Sequence, residues 1–358
     1  MTPSQSPTDD AAPDRLVHPA QGGLAETALA PSRIPTPDES DPAAALPESR
    51  RPRWWTVLAV TAISIFATVT TATVLMGVLA TWQYGVEALQ NPEIFERLSK
   101  TRVGFLTLVV VPQLALLVTA LIAAAMSPIG FWRRLGLVRG RWPLWLWFAA
   151  AMATPLVGIL SGLIVSLFLD ESPNLKQMGE AFRFLGTGGF AIVIAVAIGL
   201  TPAICEEILF RGYGQTRLVR SFPPAVGIVF ASVLFAAFHL EPIHVVSVFP
   251  LGLWLGVVSY RSGSLIPAMM GHFTNNFVSV VMMIYGPAGE DAADQIGDLP
   301  AAEIAADMVV HPVVVLLAAA VLVGGTAGLF LTVRAMLRRD APAASPSLAA
   351  GGSVSTHS

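Results

Sequence analysis

The stretch FAIVIAVAIGLTPAICEEILFRG (190–212) decides how this chain folds. Its first part is long and apolar enough to enter a bilayer as a helix, for which about 17–25 apolar residues are needed. It then places two adjacent glutamates, Glu206 and Glu207, and an arginine, Arg211, one helical turn further on. The apolar character resumes at PAVGIVFASVLF (224–235). A charged side chain near the bilayer centre costs about 2.5–3.5 kcal/mol on insertion scales, so charges there are functional candidates by default.

The rest of the chain is equally apolar. Apolar residues make up 54% of it and charged residues 13%, against about 25% charged in a soluble domain, and the mean hydropathy is +0.65. A net charge of −3 without a basic stripe argues against a nucleic-acid partner. A single cysteine, Cys205, excludes an intramolecular disulfide framework and a cysteine-rich metal site. Residues 1–50 and 340–358 are rich in Pro, Ser, Ala and Asp or Gly without apolar periodicity, and are expected to be disordered tails. The first tail lacks the basic start and apolar core of a signal peptide.

Between the tails, a membrane domain is expected over 51–339, with about eight apolar runs at 55–82, 104–126, 143–169, 187–210, 225–240, 245–260, 265–285 and 312–333. The fifth and sixth are short for a full crossing. The expected fold is all-α, a polytopic membrane helical bundle. Lys and Arg collect on the cytoplasmic side of such bundles. With eight spans, Arg50, Arg51 and Arg53, the Arg133–Arg141 cluster, Arg217 and Arg220, Arg261, and Arg334, Arg338 and Arg339 all fall on one side. The connection EDAADQIGDLPAAEIAAD (290–307), on the other side, is acidic. Both termini are therefore expected in the cytoplasm.

Few polar residues interrupt the runs. They are Glu206, Glu207 and Arg211, then His239, then His272, Asn275 and Asn276. At about 100° per residue, Arg211 lies roughly 40° from Glu207 around the helix and roughly 140° from Glu206. Arg211 can neutralise Glu207, whereas Glu206 has no charged partner in its own helix and suits a proton acceptor. Phe235 and His239 share one helix face at i,i+4, as do His272 and Asn276. Each residue alone has a structural reading too. A Glu–Arg pair can clasp helices, an intramembrane His or Asn can bridge them, Pro202 can bend the helix, and Glu241 and His244 read as interfacial loop residues. It is the ordered occurrence of E-E-x-x-x-R, F-x-x-x-H and H-x-x-x-N on three spans that favours a shared site. For Glu206 and His239 to meet at one depth, the helix of Glu206 must continue to about Arg217, which moves Glu206 about 16 Å inward.

Those three motifs, CEEILFR (205–211), FAAFH (235–239) and HFTNN (272–276), resemble the CPBP family of intramembrane endopeptidases, which includes CAAX prenyl proteases and bacteriocin-processing proteins. The resemblance spans roughly residues 130–285, the expected catalytic core. It implies that Glu206, assisted by His239, activates a water, that His272 and Asn276 hold the oxyanion, and that Glu207, Arg211 and Phe235 support the site. The family has been described both as metalloproteases and as glutamate-type proteases. Glu206, His239 and His272 could hold a divalent metal such as zinc, and no H-E-x-x-H motif is present to decide the matter. The implied partners are a peptide or membrane-protein substrate, lipidated or membrane-associated, and the bilayer. Two other readings stay open, a non-catalytic scaffold or toxin-immunity protein of the same fold and a proton-coupled transporter. No internal repeat supports the last. The Ala-, Arg- and Pro-rich composition points to a bacterial cytoplasmic membrane.

Overall fold

The structure, a computed structural model, describes residues 53–127, 130–170, 172–286 and 311–338. The two expected tails, Arg50, Arg51, Arg339 and the acidic connection 290–307 lie outside these residues. Among the described residues the regular structure is helical throughout, with no strand. This is the bilayer solution for a chain whose backbone must satisfy its own hydrogen bonds without water.

All eight apolar runs form helices. They are α1 (Trp55–Tyr84), α3 (Arg102–Ala125), α5 (Leu144–Ser166), α7 (Phe190–Glu207), α9 (Pro224–Ala237), α10 (Pro242–Ser262), α11 (Ile266–Tyr285) and the pair α12 (Pro312–Ala320) and α13 (Thr326–Arg338). Three shorter helices occupy connections, α2 (Pro92–Ser99), α4 (Phe131–Arg134) and α6 (Pro173–Leu185), and α8 (Thr216–Ser221) continues the helix of α7. The chain is an integral membrane protein built as a polytopic helical bundle, with 6 helices among the described residues long and apolar enough to cross a membrane. The other two runs fall short for different reasons. α9 has 14 residues, a rise of about 21 Å against a hydrocarbon core of about 30 Å. α11 is diluted by His272, Asn275 and Asn276.

Two amphipathic helices in the connections were not read from the sequence. Asn91 caps α2 by accepting from the Glu93 N–H at 3.0 Å, and Ser172 caps α6 by accepting from the Leu175 N–H at 3.1 Å. A proline follows each cap, where its missing N–H costs nothing. α6 buries Phe182 and Leu185 in a cluster with Phe105, Ile194, Ala195 and Val280, and Arg183 donates to the Met283 carbonyl at 2.9 Å.

At one end of the bundle, arginines from separate connections meet. Arg217 lies 3.8 Å over the Tyr213 ring and Arg134 lies 5.3 Å from the same ring. Arg141 donates to the Tyr260 and Arg261 carbonyls, and Arg261 donates to the Met336 carbonyl at 3.2 Å. Arg134 and Arg217 are buried rather than solvated.

The helix that begins at Phe190 does not stop after the glutamates. It runs without a break to Ser221, 32 residues in all, as the shared site requires. Between Ile208 and Gln215 its backbone widens into π-helical turns. Such turns occur often at functional sites, because they re-aim the side chains on either side. This widened segment is packed between α3, α9 and α10, so the charged part of the helix sits inside the bundle.

Candidate active site

Glu207 is fully buried, and its Oε1 accepts from Arg211 Nη1 at 2.7 Å. Arg211 also donates from Nη2 to the Gly252 carbonyl at 3.0 Å, and its guanidinium lies 4.1 Å over the Phe235 ring. The pair expected from i,i+4 spacing therefore exists. It is also a clasp, since it joins the π-helical segment to α9 and α10.

Two glycines make that clasp possible. Gly252 and Gly256, one turn apart on α10, offer their carbonyls to Arg211 and Gln215, one turn apart on the facing helix; Gln215 donates to Gly256 at 2.9 Å. A Cβ on Gly252 would come within 3.0 Å of Phe235 Cδ1, and one on Gly256 within 2.8 Å of Gln215 Oε1. Only small residues allow the two backbones this approach.

His272 joins the glutamates. Its Nδ1 lies 2.9 Å from Glu207 Oε1, and its Nε2 lies 3.9 Å from Glu206 Oε2. An ionised carboxylate only accepts, so Nδ1 carries the hydrogen and donates, which fixes the ring and turns Nε2 toward Glu206. All three side chains are buried, at 3–4% exposure for His272 and Glu206 and 0% for Glu207.

Glu206 is not without a partner. Its Oε1 accepts from Gln113 Nε2 of α3 at 2.7 Å, a partner from another helix that the sequence reading did not name. Arg211 does leave Glu206 without a counter-ion from its own helix, but a neutral amide from another helix fills one side. Its Oε2 is buried and accepts no hydrogen bond among the described residues.

His239 sits just past the end of α9, half-buried, with Nδ1 3.0 Å from the Phe235 carbonyl. A carbonyl can only accept, so Nδ1 donates and Nε2 is the free ring nitrogen. Phe235 is the spacer that gathers the rings, 5.2 Å from His239 and 5.8 Å from His272 by centroid, both edge-on. Leu240 takes a left-handed backbone, φ 60°, which turns the chain sharply from α9 into α10. That turn brings back His244, whose ring is 4.6 Å from the His239 ring. Read from sequence as an interfacial loop residue, His244 lies in the first turn of α10 beside His239, and Glu241 caps α10 through the His244 N–H at 2.6 Å.

Asn276 lies one turn beyond His272 on α11. Its Nδ2 donates to the Ile198 carbonyl at 3.4 Å, and its Oδ1 accepts from Asn275 at 3.1 Å. Pro202 explains the first contact. Lacking an N–H, it cannot bond the carbonyl four residues back, that of Ile198, and so leaves it for Asn276. Pro202 thus does not break the helix; it opens one carbonyl.

The implied two-histidine, one-carboxylate metal site does not assemble. No group of three His, Cys, Asp or Glu side chains among the described residues converges on one point. The geometry instead presents a buried carboxylate oxygen 3.9 Å from an imidazole nitrogen, with Glu207 and Arg211 bracing the imidazole from behind.

Residues 188–278 match the protein-family model described as Rce1-like, type II CAAX prenyl endopeptidase. Over this segment, about a quarter of its length, the chain is similar to the CAAX-protease family. The segment contains Glu206, Glu207, Arg211, Phe235, His239, His272 and Asn276, and excludes Gln113. No curated protein and no solved structure matches the chain. That family is one of proteases, and with the apolar helices the match supports an intramembrane protease.

Proposed function

We propose that this chain hydrolyses a peptide bond of a membrane-associated or lipidated substrate by attack of a water activated by Glu206, inside a core spanning about residues 130–285. One observation carries the reading: Glu206 Oε2 and His272 Nε2 face each other at 3.9 Å, with Glu207 holding the far side of the imidazole. That distance is too long for a direct hydrogen bond, and a water seated beside the pair would reach both atoms at about 2.8 Å.

Glu206 Oε2 takes a proton from the water, and the hydroxide forms a bond to the scissile carbonyl carbon. The tetrahedral intermediate collapses as the C–N bond breaks, and the proton held by Glu206 passes to the departing amine nitrogen. His239, whose Nε2 is free, assists at the water. His272 Nε2–H and the second Nδ2 hydrogen of Asn276 donate to the oxyanion, a contribution that grows only as charge develops there. The charges of Glu206, Glu207, Arg211 and a protonated His272 sum to zero, which a low-dielectric interior tolerates. The arginine-rich end of the bundle faces the cytoplasm of a bacterial cell, with both termini on that side, in keeping with the positive-inside rule.

The test is cleavage of a peptide library, with prenylated and unprenylated C-terminal segments, by the full chain in proteoliposomes. The wild type should cleave, and Glu206→Gln, His239→Ala and His272→Ala should each lose about 10²-fold or more in kcat. A wild type inert on every substrate, in vesicles where an ion flux survives, would replace the protease reading with a transporter.

A further inference from the structure

We infer that Gln113 is a positioning residue of the active site, one that holds Glu206 by its Oε1 so that Oε2 is left aimed at the water. This rests on the protease reading above. Gln113 lies on α3, outside the segment that matches the CAAX-protease family and outside the three motifs. Its Nε2 nevertheless makes the hydrogen bond, at 2.7 Å, that Glu206 receives from the protein.

A carboxylate on a two-torsion stem, with no arginine or lysine bonded to it, has several rotamers open to it. One charge-assisted hydrogen bond to Oε1 selects among them. With that oxygen engaged, the free buried oxygen is Oε2, and it faces His272 Nε2 at 3.9 Å. The two adjacent glutamates are thus held in chemically different ways. Glu207 is gripped by a guanidinium and an imidazole, which suits a fixed support. Glu206 is gripped by a neutral amide, which orients the carboxylate without adding a counter-charge to the proton acceptor. Nor is Gln113 explained as glue between helices in general, because its own Oε1 is buried and unpartnered among the described residues. Pro112 precedes Gln113, and α3 packs against both α1 and α7, so the amide stands on a helix fixed from two sides.

The experiment compares Gln113→Leu, which keeps size and suits an apolar helix, with the wild type, using two readouts. The first is cleavage in proteoliposomes, where kcat should fall about tenfold or more while KM stays within about twofold, as expected when orientation alone is lost. The second needs no substrate. The carboxyl stretching band of Glu206, isolated as the infrared difference between wild type and Glu206→Gln, should shift in frequency when Gln113→Leu removes its donor. An unchanged band, or unchanged kcat in an active enzyme, overturns the positioning role. A shifted band in a chain that cleaves nothing upholds the contact and rejects the protease reading on which its catalytic meaning depends.

Discussion

The side-chain amide of Asn276 donates to the carbonyl of Ile198 at 3.4 Å, and that carbonyl is open because Pro202 stands four residues on. The bond is long, so it places Asn276 without consuming it, and the amide keeps a second hydrogen for the site. A helix defect on one span thereby sets the position of a polar side chain on another.

Pro202→Ala should therefore separate stability from activity. The alanine N–H closes the helix onto the Ile198 carbonyl, which favours the helix and displaces Asn276. The expected outcome is a raised unfolding temperature in detergent with kcat lowered several-fold, followed by thermal melts and cleavage assays on one preparation.

Opposite behaviour is expected of the two glutamates. Glu206→Gln should abolish cleavage while changing stability by less than about 1 kcal/mol, since the amide can still occupy the place beside Gln113. Arg211→Met leaves the Glu207 carboxylate buried without its cation and should cost about 3–5 kcal/mol. Adding Glu207→Gln to Arg211→Met should recover part of that loss, and a double-mutant cycle by unfolding measures how much.

Gly256→Ala should destabilise the bundle by about 1–3 kcal/mol, because its Cβ would stand 2.8 Å from Gln215 Oε1 and 2.9 Å from Ile228 Cγ2. Gly252→Ala should cost less stability but more activity. Its Cβ presses at 3.0 Å on Phe235, the ring that both histidines touch. Thermal unfolding and kcat, measured on both variants, should rank them in opposite orders.

Prolonged dialysis against a chelator should leave cleavage intact, because the donor set around Glu206 does not converge as three metal ligands. Activity that disappears and returns with added zinc would show that Glu206, His239 and His272 rearrange to hold an ion, and would displace the water-activation scheme.

His244→Phe should keep the ring packing against His239 but remove its polar atoms. With ring centroids 4.6 Å apart, the change is local. A several-fold fall in kcat with KM unchanged would place His244 in the proton path beside His239, and wild-type kinetics would make it a packing neighbour.

The parts of this protein that sequence reading reached are those governed by distance along one helix. Each of the eight apolar runs forms a helix among the described residues. The i,i+4 spacing correctly paired Glu207 with Arg211, and it put Phe235 and His239 in contact. Helix geometry makes such contacts nearly independent of surroundings. The need for a long fourth helix was also legible, because three motifs on different spans can meet only if their depths agree.

What tertiary structure alone decided is who faces Glu206. Gln113 is one polar residue in an apolar span, next to a proline, and nothing within that span says which neighbour it meets. His244 follows a left-handed turn at Leu240 that returns it to His239. That His272 engages both glutamates, rather than Glu206 alone, depends on how far α11 is rotated and raised against α7. Sequence by itself determined that the chain is a helical membrane bundle with a charged pair and a second glutamate inside it. The choice of partners for that glutamate came from the packing of helices, whose rotation and depth are set by small residues such as Gly252 and Gly256 spread over the whole fold.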